Sequence, residues 1–290
     1  MIRYALLTIT AIAMFGCKNT GKIDVSKLPA PPSTQELAEA HNQRIAPLET
    51  LWARVSVRAK GTYDNGDPFE EQGEGHLQIL MPDRVSLSIG KLGETYFVFG
   101  ASPEQYWSFN LADSDRKLLL VGDMSKVTRV KAAALGLPVH PAELIALSGV
   151  APVELSRAGG TQWRSDGKAY GFQSPTQWGS IVTWFDPSTG LVSQTQAFDE
   201  FGALIASAEL TRYKDAAVSG ALPVQVPGKI EITTPNDEGF IRIELSGPET
   251  REIRGIVFQP DRLQRNYRVD EVIDLDEALD EPAPATEPAP

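Results

Sequence analysis

Cysteine occurs once in the 290 residues, at Cys17. A single thiol cannot close an intramolecular disulfide, and alone it cannot supply a four-ligand structural zinc site. Histidine is nearly as scarce. His41, His76 and His140 stand far apart, none in a His-x3-His arrangement, and each reads as structural. Gly-x-Ser-x-Gly is missing, as is the phosphate-cradling Gly-x4-Gly-Lys-Ser/Thr. Gly73-Glu74-Gly75 lacks the third glycine of a dinucleotide-binding turn. No catalytic residue, metal or cofactor is nominated, and the chain reads as a non-enzyme. A long basic run is absent too. Formal charge is −11, and the segment from Asp270 to Pro290 holds eight acids with no Lys or Arg. That balance argues against nucleic acid as a partner. Downstream of residue 16 no apolar run approaches 18 residues, so the sequence offers no second membrane span.

What is present begins with MIRYALLTITAIAMFGCKNT. Arg3 precedes an almost wholly apolar stretch from Tyr4 to Phe15, and small Gly16 stands before Cys17. The stretch is too short to span a bilayer and fits the apolar part of a secretory signal. It resembles the bacterial lipoprotein signal peptide, although Met14 and Phe15 depart from that pattern. The resemblance implies cleavage after residue 16 and acylation of Cys17, which anchors the chain in membrane lipid. The bland alternative is an ordinary cleaved signal with an incidental cysteine. Lys18, where an Asp retains many lipoproteins at the inner membrane, implies the outer membrane, facing the periplasm. Residues 17–32 then read as lipid anchor and flexible tether.

Ser33-x-x-Glu36 is a capping box, followed by Leu37, His41, Arg44/Ile45 and Leu48 at helical spacing, with Pro47 at the far end. The period then drops to two. Ala53, Val55, Val57 and Ala59 alternate with Arg54, Ser56, Arg58 and Lys60, which predicts a strand with one buried face. Asn65-Gly66 signals a turn. The nearby Asp64, Asp67, Glu70 and Glu71 match no calcium-loop spacing and read as solvated charge. Short alternating segments continue to RKLLLVG, give way to helical composition over 123–148, and resume from TQWRSDG to FIRIELSG. Asp123 and His140-Pro141 are the expected helix starts. The pattern predicts a mainly β (α+β) domain over 33–269, a long antiparallel meander interrupted once by helices. Residues 270–290 form an acidic, Pro/Ala-rich tail. Its end is expected to stay extended and disordered, while Val269, Val272, Ile273, Leu275 and Leu279 are apolar enough to dock.

Three stretches taken together resemble the LolA/LolB superfamily of bacterial lipoprotein-localisation factors. They are GHLQILMPDRVSL, PEQYWSFN and IVTWFDPSTGLVSQTQAFDEFG, and the order helix, strands, helices, strands agrees. The resemblance implies a curved, incomplete antiparallel barrel with helices over its concave face, and a space between them that accepts acyl chains of a lipid or a lipoprotein. The implied lining is Leu77, Ile79, Val85, Leu87, Ile89, Phe97, Phe99, Trp107 and Phe109 from the sheet, with Leu144, Ile145 and Leu147 from the helices. It also implies a membrane-contact loop at Gly90-Lys91-Leu92-Gly93-Glu94, with Leu92 at its tip. The competing reading keeps the same fold with a filled core and gives the chain another envelope protein as its partner.

Overall fold

The computed structural model describes residues 23–62, 67–135, 143–235 and 239–279. Cys17 with the signal segment, the Asn65-Gly66 turn, the His140-Pro141 helix start and the tail from residue 280 lie outside the described residues.

Ser33 opens helix α1 (Thr34–Ile45) with both halves of the capping box. Its Oγ accepts from Glu36 N at 3.2 Å, and the Glu36 carboxylate accepts from Ser33 N at 2.8 Å. Leu37, Ala38, His41 and Ile45 form the buried stripe. Strands β1 (Thr50–Thr62), β2 (Pro68–Leu80), β3 (Arg84–Lys91), β4 (Glu94–Ala101), β5 (Gln105–Asn110) and β6 (Leu118–Asp123) follow. Two short helices come next, α2 (Arg129–Ala134) and α3 (Glu143–Leu147). Asp123 caps a 3-10 turn (Met124–Lys126) ahead of α2, whose own cap is Thr128. The second run of strands is β7 (Gln162–Trp163), β8 (Tyr170–Thr176), β9 (Gly179–Phe185), β10 (Val192–Phe198) and β11 (Leu204–Thr211). It goes on through β12 (Lys214–Ala216), β13 (Val224–Val226), β14 (Lys229–Thr233) and β15 (Phe240–Glu249). Helix α4 (Pro260–Tyr267), strand β16 (Glu271–Asp274) and helix α5 (Leu275–Ala278) close the described chain.

Among the described residues, fourteen strands make one curved, unclosed sheet in the order β16-β6-β5-β4-β3-β2-β1-β15-β14-β11-β10-β9-β8-β7. β12 and β13 form a separate ribbon. A single meander is therefore the wrong topology. Two meanders are joined where β1 pairs antiparallel with β15. The joint leaves β6 and β7 near opposite edges, so the connection carrying α2 and α3 must travel across a face of the sheet. Val127, Ala132, Leu135, Ile145, Leu147 and Val150 from that connection share one core with Ala53, Val55, Leu77 and Ile79. The connection and α1 thus cover the concave face.

The other face of β4–β6 carries its own layer. β5 alternates Tyr106 inward with Trp107 outward, and Trp107 and Phe109 pack with Val98, Leu111, Leu119, Phe258 and Leu263 of the α4 region. A side chain at Gly100 would meet the Trp107 indole at 2.3 Å, so the residue opposite Trp107 has to be glycine.

Ordered structure lies on both sides of the 33–269 span, and the described chain ends at Leu279, the ordered boundary expected from the apolar residues of the tail. Trp163 Nε1 donates to Pro29 O at 2.7 Å, and Ile23 and Leu28 pack against Gly167. Residues 23–32 are therefore seated on the fold, where the sequence suggested a loose tether. Past Val269, β16 pairs in parallel with β6, and Leu275 is buried in the main core.

Candidate functional site: the interior beneath the helical cover

The sheet–cover interface is built from period-two strands on one side and a five-residue helix on the other. Leu77 and Ile79 of β2, Val85 and Leu87 of β3, and Ile230, Ile232 and Ile243 of β14 and β15 point to one small void. Leu144, Leu147 and Ser148 of the α3 segment close it. Its volume is about 30 Å³, far below the roughly 300–1,000 Å³ of pockets that hold drug-sized ligands. The interior is closed in this conformation.

The segment that closes it is packed into the core through Ile145, Leu147 and Val150 and is also clamped by polar contacts. Thr195 Oγ1 donates to Leu147 O at 3.2 Å. Asn42 brackets Val153, its Nδ2 donating to Val153 O at 2.9 Å and its Oδ1 accepting from Val153 N at 2.8 Å. His41 Nε2 lies 2.8 Å from Ala151 O, and Arg44 Nη2 lies 3.1 Å from His41 Nδ1. Arg44 can only donate, so Nδ1 accepts and Nε2 carries the proton that goes to Ala151. Burial, and secondarily the Arg44 charge, push the His41 pKa down to about 4. Arg44 also donates to Gln225 O of the ribbon.

Further openings flank the same segment. One of about 170 Å³ lies against Ala146, Gly149 and Ala151, between His41 and the β8–β10 strands. Another of about 590 Å³ is bounded by Ile45, Leu48, Met81, Val150 and Pro152. The stretch 144–153 thus separates the inner void from two outer ones. Helix α2 has its own anchors: Arg129 Nη2 donates to Trp178 O at 2.7 Å, and Lys131 Nζ lies 2.8 Å from Asp276 Oδ1.

Of the lining expected from sequence, Leu77, Ile79, Val85, Leu87, Leu144 and Leu147 meet at the inner void. Phe99 and Ile145 are buried in the same core, and Ile89 and Phe97 are half-buried against it. Trp107 and Phe109 do not belong. They face the opposite side of the sheet, because alternation fixes that two residues share a face but not which face it is. Ile230, Ile232 and Ile243 escaped the sequence reading. Their alternation was visible, but nothing in it told that β14 and β15 lie beside β1. Leu92 (φ 54°) and Gly93 (φ 87°) form the two-residue turn between β3 and β4, with Leu92 fully exposed. No group of His, Cys, Asp or Glu able to hold a metal ion occurs among the described residues.

No family model and no curated protein matches the sequence. Solved structures do match in shape. A DUF1329 family protein from Desulfovibrio piger aligns with a TM-score of 0.54 at 13% identity, over 79% of this chain and 97% of that one. A LolA superfamily protein from Nitrosomonas europaea gives 0.52 at 12% identity, over 80% and 99%. A domain described as outer membrane lipoprotein-sorting, from Vibrio parahaemolyticus, gives 0.52 at 12%, over 79% and 97%. The fold of this chain is LolA/LolB-like.

Proposed function

We propose that this LolA/LolB-like chain is an acylated lipoprotein of the bacterial envelope that takes up acyl chains of a lipid or a lipoprotein beneath its helical cover. The observation that carries the reading is the placement of residues 144–153. They roof an all-apolar patch of sheet, combine buried Ile145, Leu147 and Val150 with side-chain-to-backbone hydrogen bonds, and have voids on both sides. Displacing the segment would join those voids over Leu77, Ile79, Val85, Leu87, Ile230, Ile232 and Ile243.

Uptake is partition, with no covalent step. Each methylene removed from water contributes about 0.8 kcal/mol, against which stand the broken clamps at Leu147, Ala151 and Val153 and the lost core packing of Ile145, Leu147 and Val150. Cys17 carries the anchor, and Lys18 supports an outer-membrane destination facing the periplasm. The lipoprotein-sorting description of the Vibrio parahaemolyticus neighbour agrees with that location.

The small volume of the inner void favours a second reading, in which the core stays filled and the lipoprotein binds another envelope protein. Native mass spectrometry separates the two. Delipidated chain exposed to phosphatidylethanolamine/phosphatidylglycerol vesicles and re-isolated should carry one or more lipid masses. Recovery of bare protein under those conditions would leave the second reading in possession.

A further inference from the structure

The strand registers give the open barrel two ends, and they separate two exposed leucines, Leu92 and Leu222. Ile23 and Leu28 pack on Gly167, in the turn from β7 to β8. β8 starts at Tyr170, paired with Phe185, and the following turn leads to Val192. Val192 O accepts from Tyr213, the residue just before the β12–β13 ribbon. Ala217 of the ribbon bridges to Glu249, at the end of β15 and beside the start of β1. Ile23, the first described residue, and the loop between β12 and β13 therefore occupy the same end. Leu92 lies at the other end, where Gly90 is paired with Glu74, six residues along β2 from Leu80. Phe201, at the β10–β11 turn, lies at that other end as well.

The loops differ in chemistry as they do in place. Between Asp215 and Lys229 the sequence AAVSGALPVQVPG has no charged residue. Within it Ser219, Gly220, Ala221, Leu222 and Pro223 are all exposed, Leu222 at 85%. Leu92 sits between Lys91 and Glu94, and Phe201 follows Asp199 and Glu200. The β1–β2 hairpin also continues past the level of Leu92 with Arg58 paired to Glu70.

We propose that residues 219–223, with Leu222 at their centre, rest in the lipid surface that holds the anchor, and that Leu92 faces away from it. The proposal rests on the acylation of Cys17. Six peptide units separate Cys17 from Ile23, a span of at most ~20 Å. The height of sheet between the two ends is also on the order of 20 Å or more. At its own end of the barrel such a tether reaches the membrane with slack, and at the other end only when fully extended. To bring Leu92 to the same leaflet it would have to run back along the whole wall. An uncharged tip can enter the interface without burying charge, which the Leu92 and Phe201 turns cannot do.

The test uses the full acylated chain in phosphatidylethanolamine/phosphatidylglycerol vesicles. In that chain the Cys17 sulfur is a thioether, so Leu222→Cys and Leu92→Cys each provide one free thiol for an environment-sensitive fluorophore. At position 222 the emission should shift to the blue and be quenched by lipids carrying a shallow nitroxide. At position 92 it should do neither. Quenching at 92, or a water-like spectrum at 222 in a chain that floats with the vesicles, overturns the assignment and leaves the anchor standing. A wild-type chain that floats no better than Cys17→Ser overturns the anchor and this assignment with it.

Discussion

Lys131 Nζ lies 2.8 Å from Asp276 Oδ1 with side chains only 3% and 9% exposed, so a helix of the cover is pinned by the far end of the described chain. Burial raises the Asp276 pKa, but hydrogen bonds from Lys131 and from Asp123 N, with the lysine charges, outweigh it and hold the carboxyl below its ordinary range. Asp276→Ala should lower stability by a few kcal/mol, because it removes the carboxylate that lies 2.8 Å from a buried ammonium. Lys131→Met combined with Asp276→Leu should regain most of that. Urea unfolding of the single and double variants checks this, and equal losses in both would contradict the pairing argument.

His41 makes stability pH-dependent with a definite sign. Its pKa is about 4 in the fold and about 6.5 when unfolded, so between those values the unfolded chain binds a proton that the native one does not. The contribution is whole above pH 6.5 and declines as pH falls toward 4, by on the order of 3 kcal/mol. Protonation at Nδ1 also ends the bond accepted from Arg44 and sets two cations together. Denaturant unfolding at pH 7 and pH 4.5 should show the decline, and His41→Gln should flatten it. An unchanged slope in the variant would remove His41 as the cause.

Leu144 tests the cover. It borders the inner void, so Leu144→Asp would set a carboxylate against Leu77, Ile230 and Ile243. Either the fold loses several kcal/mol or the segment swings out and acyl-chain binding changes. Thermal melting and lipid uptake measured together decide the matter; no change in either would place Leu144 elsewhere.

Truncations should divide the C-terminal tail in two. Residues 282–290 alternate Pro with Ala, Glu and Thr and offer, apart from proline, no apolar side chain larger than alanine, too little to offset roughly 1–2 kcal/mol per ordered residue. Ending the chain at Glu281 should leave the melting temperature unchanged. Ending it at Val269 removes β16, buried Leu275 and Asp276, and should lower it by many degrees. Calorimetry on the two truncations would expose the opposite ranking.

Acylation is tested at its one residue. Cys17→Ser should abolish incorporation of a labelled fatty acid and leave the precursor uncleaved or released. Label persisting in the variant would end the anchor reading.

Local chemistry determined the local features of this chain. The Ser33/Glu36 box, the alternation of Ala53, Val55 and Val57, and the punctuation of the hairpins all depend on neighbours a few residues away. So does the helical stretch that interrupts the strands. Which faces meet is a different matter, because period two is silent on long-range pairing and on which side is the inside. Pairing of β1 with β15 decided that Ile230, Ile232 and Ile243 would join Leu77 and Val85, and that α3 would lie over them. The α4 layer decided that Trp107 and Phe109 would point away from that interior. The same long-range geometry tied Asp276 to Lys131, and it set Ile23 and the uncharged Leu222 loop at one end of the barrel, where sequence distance gave no hint of either.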